Sequence, residues 1–269
     1  LGELLKIRRD KLTALQEAGQ EKLTAYVFIL QNCAANLGGM LTPFGNPQNL
    51  YLFDHYHIPV GQFLSIMLLP FALSTGLILL CCLLIPRQVL AVPQRELTLD
   101  KPRAIAYGLL FCLAVGMVLR AVPYPVGLAV IAASLAVMDP RALKSVDWGL
   151  LVTFAAFFVF SGNMARIQPV RELFGRLLAH GVLPVSALTC QVISNVPAAI
   201  LLSQFTDRFR ELLIGVNIGG TGTLIASLAS LITFREYTRR CPEQTGRFLG
   251  LFTLVSFGFL AILLAALSL

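Results

Sequence analysis

Residues 36–50 read NLGGMLTPFGNPQNL and lie inside an apolar run. Two adjacent glycines, two prolines, a threonine, a glutamine and three asparagines stand where a membrane helix would want none. A bilayer tolerates such a break only where the freed backbone faces protein or a water-lined cavity. Discontinuous helices near the midplane are the usual binding elements of secondary transporters. The same pattern returns at residues 217–231, NIGGTGTLIASLASL. Without a gap, Asn36 pairs with Asn217, Gly38 with Gly219, Gly39 with Gly220, Thr42 with Thr223 and Leu50 with Leu231. In that register Gly45, Asn46 and Asn49 meet Ala226, Ser227 and Ser230, all small or polar. The part that repeats is the part lipid should reject, which marks an internal repeat.

Composition agrees with a membrane setting. Apolar residues make up 57% of 269 positions and charged residues 13%, with a mean hydropathy of +0.77. A soluble chain of this size carries roughly 25% charge. The net charge of +7 does not point to nucleic acid, because the basic residues fall between apolar spans, where they set topology. The six cysteines have no CxxC or His-spaced pattern, and five lie in apolar stretches, so they read as small hydrophobes rather than as disulfide or metal sites. The chain opens at Leu1 in a polar segment, which suggests that an upstream part is missing.

Taken in order, residues 1–22 read as a cytoplasmic connector and residues 23–53 as a first broken transmembrane helix. Residues 60–163 read as scaffold spans, which could also form a homodimer contact. Residues 165–181 place Ile167, Val170, Phe174, Leu177 and Leu178 at helical spacing between Arg166, Arg171, Glu172 and Arg176, the pattern of an interfacial amphipathic helix. Residues 183–206 are apolar but interrupted by SNVP at residues 194–197. Residues 212–234 form the second broken helix, and residues 248–269 a last span. If residues 183–206 enter and leave on one face as a re-entrant hairpin, most of the 21 Lys and Arg fall on the side of Leu1, as the positive-inside rule prefers. The two broken helices then run in opposite senses, as inverted repeats about an axis in the membrane plane.

With AANLGGMLTPFGNPQNL at residues 34–50, SNVP at 194–197 and GVNIGGTGTLIASLASL at 215–231, the chain resembles the ion transporter superfamily. That group includes arsenite-efflux permeases, NhaD-type sodium/proton antiporters and citrate and dicarboxylate transporters. The resemblance implies an all-α membrane protein of the bacterial inner-membrane type, an inverted-repeat secondary transporter in which each repeat pairs a re-entrant hairpin with a broken helix. Carried over, one site would use Asn36, Gly38, Gly39, Thr42, Gly45, Asn46 and Asn49. The other would use Ser194, Asn195, Pro197, Asn217, Gly219, Gly220, Thr221 and Thr223. Both loops would take a small anion or oxyanion beside a coupling cation, sodium or proton, with no other cofactor. The first repeat is incomplete: stepping back from Asn36 by the separation of Asn195 from Asn217 lands at Ala14, in a charged segment, so its hairpin is expected before Leu1.

The residues themselves allow that chemistry. A half-helix restarting after a break presents free N–H groups and a positive dipole end. The glycine pairs allow positive φ and close backbone approach, and Pro43 and Pro47 stop the helix from continuing. No Asp, Glu, Lys or Arg falls in the middle of a span, which counts against a proton antiporter, since intramembrane carboxylates mark proton relays. Sodium/proton exchange is the second reading and an inactive truncated fragment the third. His55 and His57 beside Asp54, and His180, read as solvated surface. No HExxH and no base near Ser194 support an enzyme.

Overall fold

The computed structural model describes residues 21–85 and 100–268. The expected connector lies outside these residues except for its last two positions, as do residues 86–99 of the basic loop after the span at Val60. Among the described residues the chain is all helical, with no strand. Three helices among the described residues are long and apolar enough to cross a membrane alone: Val60–Leu83, Lys101–Val118 and Pro242–Leu267, the last including a 3-10 turn at Pro242–Gln244.

The chain divides into two compact units, Leu1–Gln94 with Ser161–Leu269, and Arg95–Phe160. The larger unit contains both breaks. Helix α1 (Glu21–Gly38) passes into a 3-10 turn at Gly39–Leu41, then a turn closed by the Gly45 N–H donating to the Thr42 carbonyl at 3.1 Å, then α2 (Pro47–His55). Pro47 accounts for the restart: the residue before a proline is pushed out of the helical region, and Asn46 is extended at φ −140°, ψ 147°. Proline itself suits the first helical position. Helix α3 (Val60–Leu83) buries Phe63, Ile66, Met67 and Pro70, and Phe53 meets Phe63 edge to face at 5.8 Å. This span lies in the unit that holds the broken helices.

The smaller unit holds α4 (Lys101–Val118), α5 (Tyr124–Met138), α6 (Pro140–Lys144) and most of α7 (Trp148–Met164). Asp139 caps α6 by accepting from the Ala142 N–H, and the Tyr107 hydroxyl donates to its other carboxylate oxygen at 2.9 Å. That hydrogen bond, largest among several causes, holds the Asp139 carboxyl below the usual carboxylate range. α4 and α5 are packed at Gly127, where a Cβ would strike the Met117 side chain.

After α8 (Gln168–Ala179), the chain forms α9 (Val182–Ile193) and α10 (Asn195–Leu202), joined at Ser194 in a left-handed conformation, φ 75°. Phe205, beyond α10, stacks on Phe174 of α8 at 5.0 Å, so the segment returns to the side from which it came. α11 (Phe209–Ile218) leads into the second break. A 3-10 turn at Leu224–Ala226 precedes α12 (Leu228–Arg240), which runs past the expected end at 234. The last helix is α13 (Thr245–Leu267).

The two broken helices lie antiparallel. Phe28 meets Tyr237 at 5.5 Å, Asn32 donates to Ser230 at 3.2 Å, Gln48 donates to Asn217 at 3.1 Å, and Tyr56 meets Phe209 at 5.6 Å. As one strand of contacts advances along the chain, the other retreats.

Candidate functional site

Residues in the same register of the two breaks adopt similar backbones. Thr42 and Thr223 are both extended, at ψ 148° and 161°, and Asn46 and Ser227 both precede a restarting helix at φ −140° and −151°. Their side chains then diverge. Ser227 caps its own helix by accepting from the Ser230 N–H, the ordinary N-cap bond. Asn46 makes no cap. It crosses the break instead, donating to the Asn36 carbonyl at 3.0 Å and to Asn217 Oδ1 at 3.4 Å.

Asn217 joins the two breaks. Its Oδ1 accepts from Gln48 and Asn46, and its Nδ2 donates to Asn49 Oδ1 at 2.6 Å and to the Leu213 carbonyl at 2.8 Å. All four amide side chains of this group are neutral, and Asn217 and Asn49 are fully buried. Asn49 uses its own Nδ2 on the carbonyls of Gly39, Met40 and Thr42, at 3.2–3.3 Å. It therefore holds the first break in shape rather than facing a solute.

The second break is held from outside. Gln191 of α9 donates to the carbonyls of Gly219 and Thr221 at 2.8 and 3.0 Å, and its Oε1 accepts from the Thr223 N–H at 2.8 Å. Thr223 Oγ1 donates back to the Gln191 carbonyl, and Thr221 Oγ1 to the Ile218 carbonyl. The hydroxyls of both threonines are thus occupied by backbone. The tip residue Ser194 reaches the Ala226 carbonyl at 3.4 Å. Asn195 is buried, its Oδ1 accepting from the Val196 N–H at 2.9 Å, and Pro197 is buried in the first turn of α10.

Glycine plays two roles here, and one differs from expectation. Neither GG pair uses positive φ; that conformation falls to Gly222, at φ 117°. What the pairs provide is proximity. A Cβ on Gly220 would stand 3.0 Å from Asn195 Nδ2, 3.3 Å from the Asn217 carbonyl and 3.6 Å from Asn36 Oδ1. On Gly219 it would meet Ala187 Cα at 2.8 Å and Cys190 Sγ at 2.9 Å. On Gly39 it would strike Asn46 Oδ1, and on Gly45 the Gly39 carbonyl oxygen, with Thr42 Oγ1 also at 2.9 Å. Gly38 has no such neighbour and is an exposed, helical residue at the end of α1, φ −68°. The reading of Gly38 as a site residue therefore has no geometric support.

The structure thus brings Asn36, Asn46, Asn195, Asn217 and Gly220 together. Asn36 Nδ2 turns to Asn32, at 3.3 Å from its carbonyl, while Asn36 Oδ1 and Asn195 Nδ2 converge over Gly220. Three polar residues of the cluster were not among the candidates read from the sequence. Asn32 and Gln48 are buried, at 1% and 2% exposure, and Gln191 is partly buried. A buried amide demands partners, and Gln191 lies only three positions before the SNVP tip. That proximity was the signal available for Gln191; for Gln48 it was its place inside the first break. No group of three or more His, Cys, Asp or Glu able to hold a metal occurs among the described residues.

These features define an all-α, multi-pass integral membrane protein with a transporter-like core. The chain belongs to the citrate transporter family, whose sequence model matches residues 14–207. An uncharacterized transporter of Methanocaldococcus jannaschii is 35% identical over 243 residues, covering 89% of this chain and 65% of the relative. The Escherichia coli inner membrane protein YbiR is 32% identical over 217 residues, covering 78% of this chain and 58% of the relative. The chain therefore spans about two thirds or less of the length of these relatives. The family description and the name of the Methanocaldococcus jannaschii relative are those of transporters, not of enzymes.

Proposed function

We propose that the protein carries a small anion across the membrane by cation-coupled alternating access, with a carboxylate as the substrate class that the family description favours. The observation that carries this reading is the convergence of Asn36 Oδ1 and Asn195 Nδ2 over Gly220, beside an amide cluster that ties two antiparallel helix breaks together. Neutral amides, hydroxyls and backbone dipoles favour a solute that brings its own charge. The uncapped start of α2 at Asn46 supplies positive dipole character for an anion. Antiparallel breaks support an inverted repeat, in which rocking one bundle against another would open the cluster to either face in turn. A dicarboxylate or citrate fits this reading better than arsenite, since the family description names a carboxylate.

Purified 269-residue chain in proteoliposomes should take up labelled citrate or dicarboxylate when a sodium or proton gradient is imposed. Asn46→Ala and Asn195→Ala should each abolish uptake while the protein keeps its helical content and monodispersity. Normal uptake by both variants would reject the site. Proton efflux driven by sodium entry without any anion dependence would favour exchange of sodium for protons. No flux under any gradient would favour an inactive fragment.

A further inference from the structure

A cleft of about 500 Å³ lies far from the breaks along α1 and α12, where α1 begins and α12 gives way to α13. Its base is aromatic: Phe248 is fully buried and stacks on Tyr237 at 4.0 Å. One wall is a stripe of α13. Arg247, Gly250, Leu251 and Leu254 line the cleft at positions i, i+3, i+4 and i+7, which lie on a single helix face. The stripe is graded. Arg247 is exposed at the polar start of the helix, and Leu254, two turns into the apolar span, is 73% exposed. Among the described residues Arg247 has no ion-pair or hydrogen-bond partner, and no acidic residue lines the cleft.

We propose that this cleft binds an anionic phospholipid, with the headgroup phosphate on the Arg247 guanidinium and an acyl chain along Gly250, Leu251 and Leu254. The guanidinium fork matches phosphate oxygens, and basic sites at the membrane surface select anionic headgroups. A free anion would use the arginine but leave the apolar stripe and the aromatic base bare. A neutral lipid would fill the stripe but leave Arg247, which has no partner among the described residues, without one. The occupant that satisfies both is an anionic amphiphile. Nothing in this site touches the amide cluster, so its test is independent of transport.

The full chain in detergent, mixed with phosphatidylglycerol or phosphatidylcholine, can be followed by native mass spectrometry. Retained phosphatidylglycerol should exceed phosphatidylcholine, and Arg247→Gln should lower the phosphatidylglycerol adduct roughly fivefold. Gly250→Leu should block both lipids, because a Cβ at Gly250 meets nothing within 4 Å and a larger side chain can enter the cleft without disturbing the backbone. Arg239→Gln, on the exposed end of α12 and outside the cleft, should change neither. Equal retention of the two lipids would overturn the proposal, as would an equal loss with Arg239→Gln. Displacement of phosphatidylglycerol by equimolar inorganic phosphate would overturn it in favour of a free anion.

Discussion

Asn217 is the residue through which the two breaks hold each other. It is fully buried and bonds to Gln48, Asn46, Asn49 and the Leu213 carbonyl. Truncation would strand Asn49 Oδ1 and Gln48 Nε2 in a dry interior, and each buried polar group left without a partner costs about 1–3 kcal/mol. Asn217→Ala should therefore lower stability by about 2–4 kcal/mol in chemical denaturation in detergent. Asn195→Ala should fall well short of that, since Asn195 bonds only locally. At this scale the sequence was partly legible. Asn36, Asn46, Asn49 and Asn217 were readable because an amide inside an apolar run is expensive unless it has work to do. Which amides hold the backbone of their own break and which bridge the two breaks was not readable. Asn49 and Asn46 are alike in type and near in sequence, and both reach Asn217, yet only Asn49 commits its Nδ2 to three loop carbonyls.

The elements show the same division. Each break needs its stray carbonyls satisfied, and the two breaks do this differently: the first by Asn49 of its own second half, the second by Gln191 of the neighbouring α9. Accordingly the second break is buried from Leu212 to Gly222 almost throughout, while Gly38, Phe44 and Gly45 of the first are exposed. A pair of glycine substitutions separates close packing from helix propensity. Gly45→Ala would drive a Cβ into the Gly39 carbonyl oxygen, a backbone atom that cannot swing aside. Gly38→Ala meets nothing and replaces a helical glycine. Thermal unfolding should show Gly45→Ala strongly destabilised and Gly38→Ala unchanged or stabilised by about 0.5–1 kcal/mol. The reverse order would mean that the first break has another shape. In the sequence both glycines stand alike as site candidates; only the opposing loop distinguishes them.

For the whole molecule, sidedness is the testable property. The Tyr56 hydroxyl donates to the Thr206 carbonyl at 2.6 Å, so the loop after α2 and the loop after α10 share one end of their unit. Cys241 lies at the opposite end, just past the last turn of α12, near the residues that meet the start of α1. With the other five cysteines replaced by serine, Cys241 should react with a membrane-impermeant maleimide only in inside-out vesicles. Asp207→Cys in a background without Cys241 should react only in right-side-out vesicles. Labelling of both from one side would contradict the antiparallel arrangement across the membrane.

Much of this protein follows from its order of residues alone. Apolar runs long enough for a bilayer, basic connections, two in-register polar breaks and a proline-marked tip are local or periodic features, and the cost of polar backbone in lipid makes them conspicuous. Family membership follows from the same features. Tertiary structure alone decided that Val60–Leu83 packs with the broken helices and that Gln48 and Gln191 belong to the cluster. It also decided that Gly220, and not Gly38, sits beneath the converging amides. These are contacts between residues far apart in the chain, set by which side chain reaches an unpaired carbonyl first. Hydrogen-bond satisfaction in a dry interior is a property of the assembled neighbourhood, and no single stretch of sequence contains it.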